Sequence, residues 1–378
     1  MQCDYYDAGV CRSCTLLATP YEAQLAAKIS HARSLVPAPE WLPPRRSAEQ
    51  GFRTKAKMIV AGTAEAPTLG ILAPDGSGVD LQECGLYPEP LSAAFAPLAE
   101  FVSRAALEPY DVPARRGELK SVIVTVAPDG RLMVRFVVRS TESLARIRKH
   151  LPWLLAELPA IEVASVNLLP EHKAVSEGDQ EILLTKRGTL TMLVNDIPLG
   201  LRPQSFFQTN TDVAASLYRQ VARWVEAAAP TAVWDLYCGV GGFALHVLGD
   251  GREVTGVELS EQAVQSATDT AGALEAQGIA GAAGARFIAA DALEFARSQS
   301  SAPDLVIVNP PRRGIGADLT AWLEDSGVGT IIYSSCNSES LARDLAAMPS
   351  LRPVQARVLD MFPHTDHYEV AVLLERGR

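Results

Sequence analysis

The stretch Trp234-Asp235-Leu236-Tyr237-Cys238-Gly239-Val240-Gly241-Gly242-Phe243 decides how this chain folds. Residues Ala232–Tyr237 read as a buried strand, and the glycines after it form a turn that opens a helix. Glycine lets the backbone approach a ligand closely and adopt turn conformations that other residues resist. A helix, Asp212–Ala228, precedes the strand, and further strands follow at Val254–Glu258, Ala285–Ala289, Asp304–Val308, Gly329–Ser334, Val354–Leu359 and Glu369–Leu374. Strand–helix alternation of this kind predicts an α/β architecture with a doubly wound, Rossmann-like sheet. Ligands in such sheets sit at the carboxyl ends of the strands. Glu258 ends the second strand, 19 residues after Gly239, where a carboxylate can accept hydrogen bonds from both hydroxyls of a ribose. A dinucleotide enzyme would share these features.

Upstream the texture differs. Residues 1–85 are irregular apart from a helix at Tyr21–Val36 and a strand around Lys57–Val60. From residue 86 the pattern is mixed. Ser121–Val126 and Leu132–Val138 flank Pro128-Asp129-Gly130 as a hairpin, followed by a helix at Thr141–Leu155 and a strand at Ala164–Leu169. Three parts are expected: an N-terminal cysteine-bearing segment (1–85), an inserted central α+β domain (86–200), and a Rossmann-like domain (201–378).

A chain of 378 residues has room for this. Hydrophobic content of 48% and a mean hydropathy of +0.08 are ordinary for a globular chain. No apolar run approaches the roughly 20 residues of a membrane span, and the N-terminus lacks the basic start and apolar core of a signal peptide. A cytoplasmic protein without a membrane partner is expected. The net charge of −10 argues against indiscriminate nucleic-acid binding. Local patches can still dock phosphates; the candidates are Arg45, Arg46, Arg53, Lys55 and Lys57, and then Arg115, Arg116, Lys120, Arg146, Arg148 and Lys149. The alternative is a solvated charged surface.

The chemistry concentrates near the C-terminus. Ile331-Ile332-Tyr333-Ser334-Ser335-Cys336-Asn337 offers a thiol after a strand, and Asp360-Met361-Phe362-Pro363-His364-Thr365-Asp366-His367-Tyr368-Glu369 offers a carboxylate before one. A thiol can add to an electron-poor ring, and a carboxylate can later remove a proton from the adduct. A lone cysteine after a strand is usually a small buried hydrophobe, which suits Cys238. Phe206 and Phe207, taken alone, read as core. His367 either orients a partner or makes a structural hydrogen bond, and Asp291 either reaches a bound adenine or caps the following helix.

Several motifs carry a resemblance. Asp235-x-x-x-Gly-x-Gly-Gly with Gly256-Val257-Glu258 is similar to the S-adenosylmethionine-binding fold, and Asn309-Pro310-Pro311-Arg312 agrees with it. Asn309 through Gly314, 16 intervening residues, then Ile331 through Asn337 resembles the signature of the RNA 5-methyluridine methyltransferase family. Asp360 through Glu369 resembles its second signature, and Arg202 through Asn210 its entry to the catalytic domain. Ser340 stands where the family commonly has Thr, and Asn309 where some members have Asp. The resemblance implies Cys336 as nucleophile and Glu369 as base. It implies a methyl donor bound by Gln208, Tyr237, Gly239, Gly241, Glu258, Asp291 and Asn309. The flipped uracil would meet Asn309, Phe206 and Arg312.

Cys3-(x7)-Cys11-(x2)-Cys14 with Cys84 supplies four thiolates, which suits zinc or an iron–sulfur cluster; scattered free thiols are the alternative. The spacing resembles the four-iron cluster of the ribosomal-RNA members, which implies [4Fe–4S] rather than zinc. The partner so implied is 23S ribosomal RNA, not DNA. Members acting on another 23S site begin with a small β-barrel, for which a cluster starting at residue 3 leaves no room, and members acting on transfer RNA generally lack the cysteines. The rivals are a transfer-RNA enzyme of the same family, an amino-group methyltransferase using Asn309-Pro310-Pro311, and a non-catalytic RNA-binding or assembly factor.

Overall fold

The computed structural model describes residues 1–377 except 173, 174 and 176. The chain forms two compact units: 15–48, 193–201 and 205–378 in one, and 1–14, 49–192 and 202–204 in the other.

The larger unit holds the glycine turn. Its eight-stranded sheet runs in the order Glu40–Trp41, Leu351–Leu359, Glu369–Arg376, Thr330–Ser335, Leu305–Val308, Ala232–Leu236, Glu253–Glu258, Ala285–Ala289. Glu369–Arg376 is antiparallel to both of its neighbours, and the other pairings are parallel. The centre reads as uninterrupted apolar sequence because helices cover both faces: Leu305, Val306, Ile307 and Val308 are all fully buried. The strand order reverses between Ala232–Leu236 and Leu305–Val308, so ligands are expected outside that pair. Leu236 and Val308 are register partners there, which brings Tyr237 and Asn309 to the same edge. The predicted strands and the helix Thr211–Ala228 all form, within two residues of their expected bounds except that Leu351–Leu359 begins three residues earlier than expected.

The smaller unit is a seven-stranded sheet in the order Gly78–Asp80, Pro67–Leu72, Lys55–Gly62, Leu119–Val126, Leu132–Val138, Ile161–Leu168, Gln180–Leu183. Its one parallel pairing joins Leu132–Val138 to Ile161–Leu168. Met58, Val60, Val124, Val134 and Phe136 face helices Phe95–Arg104 and Leu144–Glu157 across its core. The expected border at residue 85 therefore does not follow the fold. Lys55–Gly62 alternates between buried and exposed, and it buries its apolar side only by pairing with Leu119–Val126. Conversely, helix Tyr21–Leu35 belongs to the larger unit, where Ala32 joins the core under the sheet. No helix of the described residues is long and apolar enough to cross a membrane.

Ile331 lies in the strand that ends at the candidate nucleophile and is fully buried. Ile331→Ala removes side-chain volume that the packed sheet cannot refill, so urea unfolding should show a loss of about 2–5 kcal/mol.

Candidate active site

The turn after Ala232–Leu236 is built from left-handed residues. Tyr237 has φ of 73°, Gly239 of 55° and Gly241 of 84°. For tyrosine this conformation is uncommon and persists where its surroundings dictate it. A Cβ on Gly239 would meet nothing within 4 Å, so the backbone there borders open space. A Cβ on Gly242 would lie 2.6 Å from the Tyr218 hydroxyl, so only glycine fits.

Two carboxylates brace this turn. Asp235 is fully buried; its Oδ2 accepts from the Ala244 N–H at 2.9 Å, and its buried Oδ1 has no hydrogen-bond partner. Burial pushes its pKa up to about 7, with the charge of Glu258 adding to the rise. Glu258 accepts from the Gly239 N–H at 3.2 Å and from the Ser260 N–H at 3.1 Å. Asp291 Oδ1 accepts from Leu293 N (2.9 Å) and Glu294 N (3.1 Å), which makes Asp291 the cap of helix Ala292–Ser298. Gln208 and Phe207 are buried, whereas Phe206 is 72% exposed and free to stack. An orphaned buried oxygen, open space over Gly239 and a carboxylate at the second strand end together fit a nucleoside-bearing donor.

The thiol and the second carboxylate meet at the sheet's antiparallel seam. Ser335 pairs with Val370, so Cys336 and Glu369 are the next residues along on neighbouring strands. Cys336 borders a cavity of about 480 Å³ shared with Arg312, Asn337, His367, Tyr368 and Lys28. Burial raises the pKa of its thiol and the charge of Glu369 raises it further, while the guanidinium of Arg312 lowers it by charge and hydrogen bonding. Arg312 Nη2 lies 2.9 Å from His367 Nδ1, and its carbonyl accepts from Asn337 Nδ2 at 3.0 Å. Asn337 also caps helix Ser338–Ala346. Cys238, by contrast, is buried with its pKa raised by burial and then by Asp235 and Glu258. It is the inert core thiol expected.

Glu369 is 1% exposed, and its Oε1 accepts from the Ser334 hydroxyl at 2.5 Å. Burial lifts its pKa to about 7 against this hydrogen bond. Sequence reasoning missed Ser334, the burial of Asp235, and the presence of helix Tyr21–Leu35 beside the cavity. The available signal was a helix with buried polar positions, Gln24 and Lys28, among apolar ones.

Cys3, Cys11, Cys14 and Cys84 lie in the smaller unit, half-buried and without disulfides. The Cys14 thiol is pushed up to about 11 by burial and by the charges of Cys84, Cys11 and Cys3. Among the described residues, no group of three or more metal-ligating side chains is drawn to holding distance. The expected basic patches are partly neutralised: Arg45 pairs with Asp212, Arg46 with Glu22, and Arg146 with Glu142.

A glycine turn at the switch point of a doubly wound sheet, beside a thiol and a buried carboxylate, defines a Rossmann-like methyltransferase. The model of the tRNA (Uracil-5-)-methyltransferase family matches residues 187–377. The chain is 49% identical over 385 residues to the 23S rRNA (uracil(747)-C(5))-methyltransferase RlmC of Halothiobacillus neapolitanus, and 47% identical over 380 residues to that of Cronobacter sakazakii. Each alignment covers 100% of both chains. The crystal structure of Pyrococcus abyssi tRNA (uracil-54, C5)-methyltransferase in complex with S-adenosyl-L-homocysteine superposes with a TM-score of 0.78 at 26% identity, covering 96% of this chain and 85% of that one. The chain belongs to the uracil-5-methyltransferase family.

The raised pKa of Glu369 has a sign that can be tested. Its charged form is disfavoured in the fold, so its contribution to stability is fully present below about 4.5 and is lost as pH rises through about 7. Glu369→Gln should be more stable than the parent at pH 8 by on the order of 3 kcal/mol, converging below pH 4.5, in denaturant titrations across that range.

Proposed function

We propose that this chain transfers a methyl group from S-adenosylmethionine to carbon 5 of a uracil in 23S ribosomal RNA, at the nucleotide numbered 747 in its relatives' names. The observation that carries this reading is the strand register that sets Cys336 beside Glu369 at the ends of adjacent strands. A methyltransferase acting on an amino group needs neither a nucleophilic thiol nor a base buried next to it.

The bound donor supplies an electrophilic methyl on a sulfonium sulfur. Gly239, Gly241, Tyr237 and Gln208 would surround it, with Glu258 at the ribose, Asn309 beside the methyl and Asp291 toward the adenine. The cap made by Asp291 leaves its Oδ2 for that contact. The Cys336 thiolate, favoured by Arg312, adds to carbon 6 of the uracil, and the ring becomes an enolate rich at carbon 5. Carbon 5 takes the methyl. Glu369 then removes the hydrogen from carbon 5 as a proton, the C5–C6 double bond re-forms, and the sulfur leaves carbon 6. Asn309 would hold the pyrimidine edge. Phe206 would stack on an unstacked base, for which its exposure suits it.

The full-length identity to enzymes named for 23S RNA favours that substrate over transfer RNA, which the more distant archaeal structure is named for. A 23S transcript containing 5-fluorouridine should trap the protein in the presence of donor, because fluorine cannot leave as a proton. The band shift on a denaturing gel should vanish in Cys336→Ala. A shift on transfer RNA alone would move the substrate, a shift retained by Cys336→Ala would remove Cys336 as the nucleophile, and no shift on either RNA would remove the covalent mechanism.

We also propose that Cys3, Cys11, Cys14 and Cys84 hold a [4Fe–4S] cluster. Four thiols whose charges act on one another form a donor set suited to iron and sulfide. Anaerobically purified protein should contain iron and acid-labile sulfide in equal amounts, both lost in Cys84→Ser. Zinc without sulfide would replace the cluster with a zinc site, and neither metal would leave four free thiols.

A further inference from the structure

Helix Tyr21–Leu35 grips the loop that leads into Glu369 through three residues spaced to share one face. The Tyr21 hydroxyl donates to Asp360 Oδ2 at 2.7 Å. Lys28 Nζ donates to Asp360 Oδ1 at 2.6 Å and to the Phe362 carbonyl at 3.0 Å, and this ion pair is almost wholly buried, with side chains 2% and 1% exposed. Gln24 Oε1 accepts from the His364 N–H at 2.9 Å. Gln24 is itself fixed by donating to the carbonyls of Leu16 (3.0 Å) and Thr19 (2.8 Å). His364 is fully buried with φ of 64°, a left-handed conformation that a non-glycine residue holds only where its surroundings enforce it.

Two buried charges and one strained residue are more than a connecting loop needs. The loop spans Asp360 to Tyr368, and its ends are already closed by the Leu359–Glu369 pairing. What the grip adds is a fixed path for the residues immediately before the buried carboxylate. Cys336 is held differently, by the cap that Asn337 forms and by the Ser335 hydroxyl, which accepts from the Asn337 N–H at 3.1 Å. The hydrogen bonds of Tyr21, Gln24 and Lys28 run to the Asp360–Tyr368 loop and to Leu16, Thr19 and Ser47, and to neither Ser335 nor Asn337.

We propose that Tyr21, Gln24 and Lys28 are positioning residues that hold the Asp360–Tyr368 loop so that Glu369 is aimed at carbon 5 for the proton-removal step. This rests on the covalent mechanism above, and it assigns a catalytic consequence to a helix far from the signature motifs in sequence. Gln24 and Lys28 also line the cavity that Cys336 borders, but in this role all three residues act through the loop. Loosening the grip slows elimination of the methylated adduct more than it slows formation of the Cys336–carbon 6 bond.

The test uses the full chain with ordinary uridine-containing 23S transcript and methyl-labelled donor, for Tyr21→Phe, Gln24→Leu and Lys28→Met. Tyr21→Phe deletes a single hydroxyl and guards against a variant that fails to fold. Label should accumulate in a denaturant-stable protein–RNA band about tenfold above the parent, and the trapping rate on 5-fluorouridine RNA should stay within about threefold. A general loosening of structure would lower trapping and turnover together, without accumulation, and would overturn the positioning role. Variants that turn over like a parent that traps normally would overturn it as well. A parent that does not trap on 5-fluorouridine RNA would instead overturn the covalent mechanism, and this inference with it.

Discussion

Everything at this site depends on one antiparallel insertion. Glu369–Arg376 lies between Leu351–Leu359 and Thr330–Ser335 and runs against both, in a sheet whose other pairings are parallel. A parallel sheet presents all its carboxyl ends on one edge. A reversed strand brings an amino end to that edge, so a residue that begins a strand can face one that has just ended another. That is how Glu369 comes to stand beside Cys336. Because side chains alternate across a strand, a one-residue slip would turn the carboxylate to the other face of the sheet. The buried run Val370, Ala371 and Val372 fixes the register by packing.

The electrostatics follow from the same burial. Desolvation raises the pKa of the Cys336 thiol and of the Glu369 carboxyl, and each negative charge would oppose the other. A thiolate beside an ionised carboxylate is therefore costly, and a protonated Glu369 eases formation of the nucleophile. Arg312 supplies the opposing charge on the thiol's side. In the mechanism proposed above, a pKa of about 7 would let Glu369 be neutral while the thiolate attacks and ionised when a proton must be taken.

Much of this was legible in the sequence. The central strands are long apolar runs bounded by turns, so their positions were readable, and the Gly239–Gly242 turn fixed the sheet type. The cysteine and glutamate stood out because each sits at a strand boundary. What escaped was discontinuous in the chain. Lys55–Gly62 and Leu119–Val126 pair across more than fifty residues, so a border drawn from local texture at 85 cut through one sheet. The two short strands Pro67–Leu72 and Gly78–Asp80 carry glycines and half-buried residues, too weak a pattern to read locally. Asp291 had two readings, and its hydrogen bonds favour the cap. Phe206 and Phe207, adjacent and chemically alike, could not be told apart by local pattern; the resemblance pointed to Phe206, and the fold exposes it while burying Phe207.

The buried polar groups of the larger unit share a logic. A buried ion pair is weak support for stability, because desolvation offsets most of the attraction. Lys28 and Asp360 nevertheless sit in the interior, joined by Tyr21. Asp235 keeps an oxygen without a partner, which a purely structural site would have filled or replaced with an apolar residue. These groups lie where the chain must hold a shape before any ligand arrives: at the glycine turn, and under the loop that precedes Glu369. An apolar contact resists separation but permits sliding, whereas a charged hydrogen bond fixes direction as well as distance. The proposed aiming of Glu369 calls for that second property.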